Sequence, residues 1–223
     1  MIVFSYFTFP NMEADMFQSI CDSVDVRLDR ISSDCVKSIG KMIKASTEGS
    51  CNSIKLLHVS DSKSMNKPYR CPEFSNSLHS IRKRVLCNLF SRCTGKVNIN
   101  KFIFNSKNFD RVIRLCYASE GIRFRDCSIY CDKLPFKLDE KLNIQVIRFE
   151  ICEFTDSRKV QMSSMLHALI NYLVEGQESL KIDFRVTKIY KKCFYRSIPG
   201  WSLKSSKPWT YSLKRNPNRS FSG

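Results

Sequence analysis

Ile122-Arg123-Phe124-Arg125-Asp126-Cys127 and Ile147-Arg148-Phe149-Glu150-Ile151-Cys152 share one pattern: an apolar residue, an arginine, a phenylalanine, two further residues and a cysteine. Apolar residues alternating with charged ones have the period of a strand with one buried face. Phe102-Ile103-Phe104 before them and Leu180-Lys181-Ile182-Asp183-Phe184 after them read as the same strand, so four strands punctuate Val97 to Phe184. Between Phe104, Phe124, Phe149 and Phe184 the intervals are 20, 25 and 35 residues.

The gaps between strands hold helical patterns. Phe109, Val112, Ile113, Cys116 and Tyr117 lie on one face of a helix, which Gly121 is expected to close. Upstream, Leu78, Ile81, Val85 and Leu89, backed by Leu86 and Phe90, predict another helix ended by Gly95. Downstream, Met162, Met165, Leu166, Leu169, Ile170 and Leu173 predict a third, capped by Asp156 or Ser157 and ended by Gly176. The connection from Tyr130 to Asn143, with Pro135 in it, shows no strong periodicity.

Toward the amino terminus the same alternation recurs less regularly. Met12, Met16, Phe17 and Ile20 fit a helix, and Val24, Val26 and Leu28 alternate with charged residues as in a strand. Ser32 and Ser33 precede a helical set of Cys35, Val36, Ile39, Met42 and Ile43, and Ile54 to Val59 reads as a strand. The chain therefore divides into an amino-terminal α/β portion over 1–60, an atypical first unit; a long loop over 61–76 containing Pro68 and Pro72; a repeat-like body over 77–185; and a basic, aromatic tail over 186–223.

The strand of form apolar-x-Phe-x-x-Cys resembles the L-x-L-x-x-N/C core of the leucine-rich repeat, and intervals of about 20 to 29 residues are usual for that class. Residues 97–184 thus resemble its ribonuclease-inhibitor-like branch. Phe102 to Phe109, Val112-Ile113 and Ile122 to Ile129 are further similar to divergent, uncharacterised repeat proteins of ciliates. The resemblance implies an α/β fold, a short irregular leucine-rich-repeat-like solenoid with parallel strands and outer helices. It also implies an inward cysteine that satisfies the backbone where the chain leaves each strand, and protein binding without catalysis. The chain departs from the pattern in lacking regular leucines and asparagines and in ending on a basic segment.

Charge divides unevenly along the chain. The net +16 comprises +10 after Asp183, where no acid remains, and +6 up to and including it. Eleven cysteines, an odd number, follow an apolar Met1 to Phe9 that lacks the basic start of a secretory signal. Reduced thiols packed as small apolar groups in the cytoplasm or nucleus are expected, with no transmembrane segment.

The patterns of chemistry are weak. A phosphate-binding loop needs glycines between strand and helix. Here Gly95, Gly121 and Gly176 follow helices, and the turns at Asn105-Ser106 and Thr155-Asp156-Ser157 contain none. Cys127 with Cys131, and Cys87 with Cys93, lack the close pairs of a zinc site. His58, His79 and His167 pair with no nucleophile in the sequence. No catalytic residue, metal or cofactor is therefore expected.

Two binding surfaces remain. Lys101, Arg123, Arg125, Arg148, Glu150 and Lys181 alternate with the buried strand positions and are candidates for a protein-binding face. In the tail, Lys191, Lys192, Arg196, Trp201, Lys204, Trp209, Lys214 and Arg215 interleave cations with aromatics, which suits nucleic acid or an anionic surface. A solvated extension accounts for the same composition.

Overall fold

The computed structural model describes residues 2–3, 23–27, 54–60, 80–135, 138, 141–156, 163–175, 177–185, 200–207 and 210–215. The helices expected around Met16 and Ile39, the loop over 61–76, His79 and Gly176 lie outside the described residues. What is described is a mixed α/β architecture with a mostly parallel sheet. Its strands β1 (Ile2–Val3), β2 (Ser23–Arg27), β3 (Ile54–Ser60), β4 (Cys93–Asn100), β6 (Gly121–Arg125), β8 (Val146–Glu150) and β10 (Lys181–Arg185) lie side by side, parallel and in chain order. Two antiparallel strands complete the sheet: β12 (Thr210–Arg215) pairs with β10, and β11 (Trp201–Lys207) forms the outer edge. Part of the basic carboxy-terminal segment thus belongs to the sheet.

A second, narrow sheet of β5 (Ile103–Phe104), β7 (Ser128–Tyr130) and β9 (Glu153–Thr155) runs beside the first. Two residues link each pair of strands, and the first is left-handed each time: Lys101 at φ 62°, Asp126 at 52° and Ile151 at 54°. Their N–H groups donate to the carbonyls of Arg125, Glu150 and Arg185 on the next strand. The backbone therefore repeats every 25 residues from Lys101 to Ile151.

This bend corrects the expected phase. Ile99, Phe124, Phe149 and Phe184 are the partners in register, whereas Phe104 faces Ile129 in the narrow sheet. The interval of 20 residues from Phe104 to Phe124 linked two different strands. The apolar alternation continues through the bend into Phe102 and Phe104, so side-chain pattern alone does not mark where one strand stops.

Buried aromatic rings hold the units together. Phe124 stacks on Phe149 at 5.4 Å between centroids and Phe149 on Phe184 at 5.3 Å, with interplanar angles of 11° and 17°. Phe109 meets Phe124 at 5.3 Å and Phe154 meets Phe149 edge-on at 5.4 Å. Such pairs add about 0.5–1.5 kcal/mol each beyond the area they bury. Beside them, the Cys127 thiol donates to Ile99 O at 3.6 Å and the Cys152 thiol to Phe124 O at 3.5 Å. Each thus satisfies a carbonyl of the preceding strand as its own chain turns away.

Helices α1 (Ser80–Arg92), α2 (Ser106–Leu115) and α3 (Ser163–Val174) supply the rest of the described core. The Asn105 side chain caps α2 by accepting from Asn108 N at 2.9 Å. Leu166, Leu169, Ile170 and Leu173 of α3 are buried as expected, joined by Tyr172, whose hydroxyl donates to Asp110 Oδ1 of α2 at 2.8 Å.

Gly95 and Gly121 do not end helices. Helix α1 stops at Arg92 and α2 at Leu115, while Gly95 and Gly121 sit inside β4 and at the start of β6. At Gly95 the reason is close approach, because a Cβ there would stand 1.9 Å from Lys55 O. The β3–β4 register shifts at this point, with Ile54 opposite Cys93 but Leu56 opposite Lys96, so two residues of β4 face Lys55 alone.

Candidate interaction face

On β6 the burial alternates, with Ile122 and Phe124 buried under the helices and Gly121, Arg123 and Arg125 turned to the other side. Because the parallel neighbours are in register beyond the β3–β4 bulge, this alternation extends across the sheet as transverse rows. The central row reads Asp25, His58, Asn98, Arg123, Arg148, Asp183 and Ser212, ending at Lys204 on β11. A second row carries Asn100, Arg125, Glu150 and Arg185, and a third carries Lys96, Gly121, Val146, Lys181 and Lys214. Lys96, Arg125, Arg148, Arg185, Lys204 and Lys214 are exposed, so no described element covers this face.

Arg123 and Arg148 stand directly opposite each other, a repulsive arrangement on adjacent strands. Each finds a carboxylate on the strand beyond. Arg123 pairs with Glu150, whose side chain is 10% exposed, and Arg148 reaches Asp183 at 3.2 Å. Lys181 adds a second contact to Asp183 at 2.8 Å. Burial alone would raise the Asp183 carboxyl, but the hydrogen bond and charge of Lys181 and the hydrogen bond from Arg148 outweigh it and hold it below the ordinary value of 3.8.

From β4 to β11 the described side chains of the face include eight cations, namely Lys96, Lys181, Lys204, Lys214 and the four arginines, and the two carboxylates Glu150 and Asp183. Lys96, Arg185, Lys204 and Lys214 form no ion pair among the described residues. No Phe, Tyr or Trp occupies an outward position on β3, β4, β6, β8, β10 or β12. The surface is a charged, hydrogen-bonding plane on a rigid frame.

Of the residues expected to form a protein-binding face, Arg123, Arg125, Arg148, Glu150 and Lys181 fall together on it, and Lys101 sits on the left-handed bend at the strand end. Asn98, Asn100, Lys96, Asp183, Arg185 and Ser212 share the face and were not among the expected residues. Alternation counted from Val97 and Ile99 would have found the β4 residues. The tail candidates separate: Lys204 and Lys214 lie on this face, Arg215 is exposed at the end of β12, and Trp201 packs against the core. Lys191, Lys192, Arg196 and Trp209 lie outside the described residues.

The described thiols are held inside. Cys93, Cys116, Cys127, Cys131 and Cys152 are buried and Cys87 is half-buried. Burial pushes the Cys93, Cys116, Cys131 and Cys152 thiols up, and Cys127 adds to this at Cys152. Among the described residues no group of three or more His, Cys, Asp or Glu side chains is placed to hold a metal ion. A groove of about 460 Å³ at the start of α2 is lined by Asn105, Lys107, Asp110, Tyr130, Asp132 and Lys133 among others, two cations against two acids. No helix among the described residues is long and apolar enough to cross a membrane.

No family model, curated protein or solved structure matches this chain.

Proposed function

We propose that the chain is a non-catalytic interaction module, a short leucine-rich-repeat-like solenoid in the cytoplasm that binds a protein partner on the open face of its parallel sheet. One observation carries the reading: rows of outward side chains run in register across adjacent strands, covered by no described element, and are braced by the Arg123–Glu150 and Arg148–Asp183 pairs. Stacked units of this kind bury their helices and leave the strands as a broad recognition surface, an inference from architecture. The 25-residue repeat of the bend and the cysteine hydrogen bonds support the repeat reading. Protonated, desolvated thiols support a reducing compartment and a structural role for cysteine.

A photo-crosslinking residue at Asn98 or Arg148 tests this in lysate of the source cells. A reproducible crosslinked protein from these positions, absent with the crosslinker at Arg111 on α2, is expected. Products from Arg111 alone would place binding elsewhere and overturn the reading.

Binding of nucleic acid through the carboxy-terminal segment is the second reading, favoured by Lys204 and Lys214 on the same exposed face. Truncation after Phe184 cannot test it cleanly, because it strips β12 from β10 and uncovers Ile182 and Phe184. Lys204→Ser with Lys214→Ser is the suitable variant. Loss of oligonucleotide binding in it, with the fold retained, would support this reading.

A further inference from the structure

We propose that the occupant of the open face is an acidic polypeptide segment, an Asp/Glu-rich strand or loop of the partner laid across β4 to β11. This rests on the reading of that face as the binding surface and names the chemistry it selects. Charge is the first argument. Eight outward cations against two carboxylates leave a strongly positive plane, and both carboxylates are already engaged by arginine or lysine. Lys96, Arg185, Lys204 and Lys214, which form no ion pair among the described residues, surround this network, so an incoming anion meets donors that need not break a pair described there.

Distance is the second. Six strands from β4 to β11 are separated by five gaps of about 4.8 Å, so the face spans about 24 Å, the reach of an extended segment of about seven residues. A carboxylate on such a segment can meet Arg185 through two parallel N–H donors, and others can meet Lys96, Lys204 and Lys214.

The choice of polypeptide over nucleic acid follows from what the plane lacks. Single strands are held by aromatic rings beneath the bases as well as by cations. No outward Phe, Tyr or Trp is present on the central strands, and Trp201 is turned into the core. Glu150 and Asp183 also stand in the middle of the plane. A phosphate on every nucleotide would fall against them, whereas a polypeptide can set a neutral or basic residue there.

The test uses the full chain and a fluorescently labelled oligoglutamate of about ten residues, with an oligothymidylate of equal charge as competitor, read by anisotropy at low salt. The expected result is oligoglutamate binding that weakens at least tenfold when Lys96, Arg125, Arg185 and Lys214 become serine. It should be unchanged when Lys107, Arg111, Lys133 and Lys141, exposed elsewhere, become serine. The single change Asn98→Glu, which sets a carboxylate opposite Arg123, should weaken binding several-fold and guards against misfolding of the multiple variant.

Equal loss in both serine variants would reduce the effect to net charge and overturn the proposal. Tighter binding of oligothymidylate would replace it with nucleic acid. No binding of oligoglutamate by the unaltered chain would also overturn it. A crosslinked partner recovered from Asn98 would in that case leave the face as a binding surface of different chemistry, so the two readings fail separately.

Discussion

Replacing Gly95 by alanine should loosen the amino-terminal half of the sheet from the rest. The added Cβ would lie 1.9 Å from Lys55 O, 2.6 Å from its carbonyl carbon and 2.8 Å from its Cα. All three are backbone atoms, so no side chain can swing aside. Ordinary contact begins near 3.4 Å, and the strands must part by more than an ångström at the bulge where Thr94 and Gly95 face Lys55. Overpacking of this kind costs about 1–3 kcal/mol. Two ladder hydrogen bonds lost with it add about 1 kcal/mol each. A total of about 3–5 kcal/mol corresponds to a fall in melting temperature of about 10 °C for a chain of this size.

Gly121→Ala is the matched control, since its Cβ would meet Val146 O at 3.2 Å and needs a shift of only a few tenths of an ångström. Alanine also restricts the unfolded chain, a gain of about 0.4–1 kcal/mol, so that variant should stay within about 1 kcal/mol of the parent. Thermal melts followed by circular dichroism compare the pair. Equal stability of Gly95→Ala and Gly121→Ala would refute the close approach of β3 and β4.

Tyr172→Phe removes the hydroxyl that donates to Asp110 while keeping the ring, and should lower stability by about 1 kcal/mol in urea titrations; no change would mean that water replaces the bond fully. Asp183 carries a lowered pKa, so its contribution is complete above about pH 3.8 and is lost as pH falls further; Asp183→Asn should flatten that part of the acid unfolding profile. The raised thiols work in the opposite direction. Above about pH 9 the unfolded chain ionises cysteines that the folded one keeps protonated, so stability should fall with rising pH, and Cys116 and Cys152 should react with a thiol reagent only as fast as the chain unfolds.

Much of the sheet was legible in the sequence because it depends on local alternation. Ile122-Arg123-Phe124 and Ile147-Arg148-Phe149 declare a strand with one buried face, and the structure pairs them residue for residue. The bend at Lys101 was not legible, since a lysine at positive φ carries no signature comparable with glycine and the apolar rhythm passes through it unbroken. The same holds for Gly95, where helix capping is the usual local reason for a glycine and a strand two units of structure away is the actual one. Arg123, Arg148 and Glu150 could be placed on a face by alternation, but their pairing with carboxylates on the next strand needs the register. Trp201 read as an exposed aromatic beside lysines, and only the antiparallel pairing of β11 with β12 turns it toward the core.

The constant interval from Lys101 to Asp126 to Ile151 makes chain length a countable quantity. Excising residues 121–145 would join Glu120 to Val146 and bring Ile99 opposite Phe149, and Cys152 opposite the carbonyl of Ile99 that Cys127 now meets. The shortened chain would keep its register and lose one step of breadth, so partner length could follow unit number while the chemistry of each row stayed unchanged. An excision that ended one residue inside a strand would instead turn the charged side of that strand out of line with its neighbours.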